Sequence, residues 1–403
     1  PLRLMRHRKS QLQYEPLGIV AIISPWNYPF LLPLGEIIMA LLAGNSIVFK
    51  PSEITPLIGL KIQELAEDSG LPTGLLQTVV GDGALGEAII QQGPAKIFFT
   101  GSTSTGKKIL TAAAQKLLPV SLELGGKDAL IVLSDADLDF ATSAALWGGF
   151  TNSGQACASI ERILVHESIR DRFIAGLKKK VSALSGSHSL GYITSEKQVL
   201  VYEDQLLDAK ELGLQWIEGG ILSPSRRQLS PGLISGANIE KSKLYTDETF
   251  GPLLAITTFK TIDEAVEKTN SSRYGLTASI VTKNISLGKQ IAKRLHVGTV
   301  MINEVTYTAG IPETPWGGMK DSGYSRKNTA RGLLDFVRVK HVHFPRSNLF
   351  TFKSFWWFPY SPFQYSVFKT LLELYRNSAW DRLKAVPALL WNLVQFLKRE
   401  RRL

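Results

Sequence analysis

From residue 17 to about 134, short apolar runs rich in Val, Ile and Phe alternate with stretches whose apolar positions recur at helical spacing. The runs at 18–23, 46–50, 77–80, 96–100, 120–124 and 129–133 are too short for helices and read as strands. Helices are predicted between them near 35–43, 56–69, 83–92 and 104–116. Strands alternating with helices argue for a parallel sheet covered by helices. The alternation then resumes. Helices are predicted near 137–149, 168–184 and 287–296, with strands at 162–166, 253–259, 277–282 and 299–303. Residues 223–237 (SPSRRQLSPGLISGA) are rich in Ser, Pro and Gly and read as surface loop. Residues 335–344 (DFVRVKHVHF) alternate apolar and polar, which suits a half-exposed strand.

After about residue 346 the pattern changes. The last 58 residues hold 14 of the 37 aromatics, including Phe355-Trp356-Trp357-Phe358, so this tail is read as a separate module. It also holds ten Lys and Arg against three Asp and Glu, which accounts for most of the net charge of +11. The basic excess is thus local to one end, and it does not describe a nucleic-acid-binding surface. Residues 385–397 (AVPALLWNLVQFL) are mostly apolar, and a basic cluster follows. That length is too short to span a bilayer but suits a helix lying against anionic lipid.

Composition bounds the rest. With 403 residues and 44% apolar content the chain can bury a sizeable core and reads as a soluble globular protein of two or three domains. No apolar run reaches the roughly 18 residues of a membrane-spanning helix. The basic first residues lack the apolar core of a signal peptide. A single cysteine, Cys157, excludes an internal disulfide and leaves no Cys-based metal site, so no metal is expected.

Several short motifs carry chemistry. Strand 96–100 runs into Gly101-Ser102-Thr103-Ser104-Thr105-Gly106 and then a helix. A helix start of this kind presents free N–H groups and a positive dipole end to a pyrophosphate. Gly81-Asp82-Gly83-Ala84-Leu85-Gly86 matches G-x-G-x-x-G, but position 106, where a ribose-binding acid belongs, is Gly; it reads as a turn with at most an adenine-side role. Lys50 and Glu53 follow a strand end, where ribose hydroxyls could be met. Cys157 lies among small and polar residues in Asn152-Ser153-Gly154-Gln155-Ala156-Cys157-Ala158, a setting that suits a nucleophile better than a core thiol. Glu123 ends a strand beside Gly125-Gly126 and can serve as a general base. Asn27, in Trp26-Asn27-Tyr28-Pro29, can donate to an oxyanion. Taken singly, each has an ordinary reading as a cap, a turn or a surface charge.

Together they do not. Pro25-Trp26-Asn27-Tyr28-Pro29, Lys50-Pro51-Ser52-Glu53, Phe99-Thr100-Gly101-Ser102-Thr103, Glu123-Leu124-Gly125-Gly126-Lys127, Gly154-Gln155-Ala156-Cys157 and Glu248-Thr249-Phe250-Gly251-Pro252 occur in that order. The set resembles the aldehyde dehydrogenase superfamily from about Tyr14 to about His343. The resemblance implies an α/β fold with a Rossmann-like cofactor domain and an α/β catalytic domain, here with an extra C-terminal tail. The expected divisions are a partial oligomerisation strand in 1–16, an NAD(P)-binding domain in 17–124, a catalytic domain in 125–325, an oligomerisation strand region in 326–345 and the tail in 346–403. The resemblance also implies roles. Cys157 would be the nucleophile, Glu123 the general base and Asn27 an oxyanion donor. Trp26, Lys50, Glu53, Gly101, Ser102, Thr105, Gly106, Leu124, Glu248 and Phe250 would line the cofactor site, with NAD expected and NADP the alternative.

The expected reaction is oxidation of an aldehyde to a carboxylic acid through a Cys157 thioester. The tail suggests an apolar, long-chain substrate. A small polar semialdehyde, or a catalytically silent scaffold, are the rival readings. A homodimer or homotetramer in the cytoplasm is expected, peripheral on the cytoplasmic membrane face through 346–403. The family carries a longer stretch before Trp26, so a shortened N-terminus is also expected.

Overall fold

The computed structural model describes residues 8–185 and 189–347 and, in the tail, 357–358, 360, 362–374, 386–388, 390–392 and 394–395. Packing divides the chain into 14–340 and a second unit made of 1–13 and 341–403. Strand β1 (Arg8–Pro16) pairs with a late strand, Val337–Pro345, in a two-stranded ribbon. Residues 1–7 of the expected oligomerisation strand lie outside the described residues.

The first sheet holds β2 (Ile19–Ile23), β3 (Ser46–Lys50), β4 (Leu76–Thr78), β5 (Lys96–Thr100) and β6 (Val120–Glu123), in the spatial order β4-β3-β2-β5-β6. All its pairings are parallel. Each strand alternates between two cores. Phe98 of β5 packs with Ile22, Phe49 and Ile37 on one face, while Ile97 and Phe99 pack with Ile23, Ile109 and Leu122 on the other. Helices α1 (Leu31–Leu42) and α2 (Pro56–Asp68) cover the first face. Helices α3 (Gly83–Gln91) and α4 (Thr103–Ala114) cover the second.

The second sheet has seven strands. In chain order they are β7 (Asp128–Val132), β8 (Ile160–His166), β9 (Gln215–Glu218), β10 (Gly232–Ser235), β11 (Leu253–Phe259), β12 (Thr277–Val281) and β13 (Thr299–Ile302). Their spatial order is β13-β12-β7-β8-β11-β10-β9. It is parallel throughout except at one edge, where β9 runs antiparallel to β10. Three apolar clusters pack on the sheet. One lies under α5 (Leu138–Phe150) and the helix Arg170–Ser185, a second under Ile262–Asn270 and Ile285–Ala292, and a third under the helix Glu196–Glu211.

One expectation fails here. Within the predicted loop 223–237, Gly232–Ser235 forms β10, whose four residues are all buried. Pro and Gly mark its start, but Leu233 and Ile234 point to opposite cores and make it an interior strand.

Candidate active site

Parallel strands open their ligand crevice at their C-terminal ends. The first sheet follows that rule: Ser24 to Asn27 leave β2, Lys50 and Glu53 leave β3, Gly101 and Ser102 leave β5, and Glu123 and Leu124 leave β6. All face one cleft of about 1050 Å³, which Cys157, Glu248 and Phe250 close from the second sheet. Every site residue expected from the sequence lines it except Gly106. That glycine is buried in α4, where a Cβ would meet the Leu124 side chain at 2.6 Å, so it lets the helix seat close to the strand end.

The nucleophile is presented by a strained turn. Asn152, Ser153 and Gly154 are consecutively left-handed, with φ of 51°, 57° and 73°. Such geometry costs non-glycine residues roughly 1–2 kcal/mol each. It persists because Gln155 straps the turn: its Nε2 donates to the carbonyls of Asn152 (3.2 Å) and Tyr192 (3.3 Å), and its Oε1 accepts from the Thr194 N–H (3.0 Å). Cys157 follows, half-buried. Burial, with the nearby Glu123 carboxylate, pushes its thiol up to about 12. The resting thiol is therefore protonated and needs a proton acceptor to become a nucleophile.

Glu123 is buried at the end of β6. Its Oε1 accepts from Ser325 Oγ at 3.0 Å. Burial raises the carboxyl to about 7; the Lys327 ammonium and the Ser325 hydroxyl hold it from rising further. Lys327 is itself buried and paired with Glu36 at 2.9 Å. A carboxyl titrating near neutrality is suited to taking a proton at physiological pH.

Asn27 lies across from Cys157. Its Nδ2 donates to the Gln155 carbonyl at 3.1 Å, which fixes the amide orientation and spends one of its two N–H groups. The other has no partner among the described residues, and neither has the backbone N–H of Cys157.

The cofactor wall is built by close approach. A Cβ on Gly125 would meet the Glu248 carboxylate at 2.2 Å, and one on Gly101 would meet the Phe99 ring at 2.5 Å. Both glycines thus bring bare backbone to the cleft. Ser102 caps α4 by accepting from the Thr105 N–H at 3.3 Å, leaving other first-turn N–H groups facing outward. Lys50 is buried, with its Nζ 3.6 Å from Glu53, which is exposed at the rim. The Trp26 and Phe250 rings meet edge to face at 5.4 Å. Glu248 accepts from the Gly126 N–H at 3.1 Å, and burial raises its carboxyl to about 8. These groups fit a dinucleotide: a helix start for phosphates, a Lys–Glu pair for hydroxyls, and an aromatic floor.

The aldehyde dehydrogenase family model matches residues 2–342. The chain belongs to the aldehyde dehydrogenase family. It is accordingly an NAD(P)-dependent oxidoreductase that oxidises aldehydes to acids. A 4,4'-diapolycopene aldehyde oxidase of a Methylomonas species is 39% identical over 373 residues, covering 90% of this chain and 68% of that protein. The peroxisomal aminoaldehyde dehydrogenase 1 of Pisum sativum is 37% identical over 345 residues, 83% of this chain and 68% of its own. Among solved structures, the betaine aldehyde dehydrogenase of Staphylococcus aureus in complex with NAD+ superposes with a TM-score of 0.81 at 32% identity, covering 88% of this chain and 72% of that one. The aldehyde dehydrogenase fold and use of NAD(P), expected from the motifs, are thereby shown.

Sequence reasoning missed part of the cleft. Ser195 and Gln198, at the start of the helix Glu196–Glu211, line it; Gly83 and Gly86 line it too, in the G-x-G-x-x-G turn read from sequence as having at most an adenine-side role. The turn's weak motif was the only signal for the latter. Nothing local marked Gln198, whose Nε2 donates to the Thr249 carbonyl at 2.5 Å.

Proposed function

We propose that this enzyme oxidises apolar, long-chain aldehydes to carboxylic acids through a thioester on Cys157, freed by water that Glu123 deprotonates. The observation that carries it is the shared cleft, where a protonated thiol and a carboxyl titrating at about 7 face one space. Glu123 takes the thiol proton, and Sγ bonds the aldehyde carbon. The resulting alkoxide is held by Asn27 Nδ2 and the Cys157 N–H, each donor being worth about 3 kcal/mol. NAD(P)+ supplies the hydride acceptor. Glu123, having passed its proton to solvent, then activates a water against the thioester carbonyl, releasing the acid and restoring the thiol. Glu53 at the ribose-binding rim would repel a 2′-phosphate, which favours NAD over NADP. With Cys157, Glu123 and Asn27 all in place, the silent scaffold is the weaker reading.

The apolar substrate rests on two supports. The Methylomonas relative acts, by its name, on 4,4'-diapolycopene aldehyde, and its 90% coverage reaches past the family match into the tail. The tail itself suits a peripheral position on the cytoplasmic membrane face. The aminoaldehyde and betaine relatives favour a second reading, a small polar substrate. The β1 ribbon, whose residues are mostly exposed, suits pairing into a homodimer or homotetramer. NADH production should be measured with hexadecanal, hexanal, succinic semialdehyde and betaine aldehyde, beside Cys157→Ala. Turnover highest with hexadecanal and absent in the variant supports the proposal. Turnover highest with a polar aldehyde overturns the substrate, and turnover surviving in the variant overturns the mechanism.

A further inference from the structure

The loop 247–251 brings Glu248 and Phe250 to the cleft in a conformation it would not hold alone. Phe250 is left-handed at φ 51°, unfavourable for a bulky aromatic, and a Cβ on Gly251 would strike the Tyr202 ring. A carboxylate outside the reaction scheme holds it. Glu161 of β8 is 2% exposed. Its Oε1 accepts from the Phe250 N–H at 2.7 Å; its Oε2 accepts from the Thr249 N–H at 2.7 Å and from Lys127 Nζ at 2.5 Å. Lys127, equally buried, also donates to Thr249 Oγ1 at 2.9 Å, and that hydroxyl donates onward to Gln205 at 2.8 Å.

The placement joins three segments. Glu161 lies four residues past Cys157, and Lys127 four past Glu123. The loop supplies Glu248 and Phe250, which line the same cleft as Cys157 and Glu123. A single ion pair therefore fixes the cofactor-facing loop against both reacting groups. We infer that Glu161, with Lys127, is a positioning residue that sets the 247–251 loop for hydride transfer, acting through Thr249 and Phe250 rather than on substrate. The inference rests on the Cys157 and Glu123 chemistry proposed above.

A carboxylate can accept from both backbone N–H groups at once, but a Gln amide must turn an N–H toward one of them. Glu161→Gln is thus expected to lower kcat/KM for NAD by about tenfold to a hundredfold, the cost of a displacement near 1 Å. Hydrolysis of p-nitrophenyl acetate requires only acyl transfer to Cys157 and its release, with no cofactor, and is expected to change by less than threefold. The double variant Glu161→Met with Lys127→Met replaces the buried pair with apolar side chains that fold readily. It leaves the loop N–H groups unheld and should show the same split. Dehydrogenase and esterase activities falling in parallel would make Glu161 merely structural and overturn the inference, as would an unchanged kcat/KM for NAD in a folded Glu161→Gln. An inactive parent enzyme would instead refute the mechanism on which it rests.

Discussion

The chemistry at single residues turns on burial. Glu123, raised to about 7 chiefly by burial, is a base only above that pH. Turnover should therefore rise as pH passes through about 7 and fall away below it. Ser325 donates to the same carboxylate and favours its charged form, so Ser325→Ala should move this limb to higher pH. Glu123→Gln should lose about 10²- to 10⁴-fold in kcat, because it removes the acceptor for the Cys157 thiol proton as well as the base that activates water. A limb near the ordinary carboxylate range, or an unchanged kcat in Glu123→Gln, would count against Glu123 as the base. The reactive residues were legible in the sequence because each sits in a short motif of small residues: Gly125 and Gly126 beside Glu123, Gly154 before Cys157. Glu161, Ser325 and Lys327 were not. Their partners lie up to 291 residues away, and nothing in their own neighbourhoods signals the contact.

Among the elements, the turn before Cys157 is tightly constrained. Gly154 has φ 73°, and a Cβ there would meet the backbone of Gly251 at 2.3 Å. Gly93 has nearly the same φ, 71°, but open space around it. Gly154→Ala combines backbone strain with a clash and should cost about 2–4 kcal/mol, together with most of the turnover. Gly93→Ala should cost about 1 kcal/mol and leave turnover intact. Thermal melts and NADH assays on both variants separate the two contributions; equal effects would mean that the clash is relieved by movement of the loop. The regular elements themselves were largely readable. Strands at 46–50, 96–100 and 253–259 stand where their apolar runs predict, because interior parallel strands need apolar side chains on both faces. The helix Glu196–Glu211 escaped notice for the opposite reason. Tyr202 and Gln205 are buried beside Val199 and Ala209, so polar atoms interrupt its inward face. Their polar atoms serve the 248–250 loop instead of the core.

At the scale of the whole molecule, polarity is ordinary in one part and mixed in another. Residues 14–340 bury their apolar side chains in clusters on both faces of two sheets. In the tail the helix Pro362–Leu374 and the helical residues 390–392 mix the two. Thr370 and Asn392 are buried, with the Asn392 amide 3.4 Å from the Thr370 hydroxyl, while Tyr365 is 72% exposed, Leu372 71% and Trp391 66%. No helix among the described residues is long and apolar enough to cross a membrane. Apolar side chains outward, hydroxyl and amide inward and a basic composition together suit a segment lying in the headgroup region of anionic lipid. The full chain should then sediment with phosphatidylserine vesicles, and a chain ending at residue 346 should not. Hexadecanal presented in those vesicles should be oxidised more slowly by the shortened chain, while propanal in solution should be oxidised equally by both. Sedimentation of both forms alike would remove the lipid role. Equal loss on both aldehydes would show that the tail supports the folded enzyme rather than its approach to a membrane-held substrate.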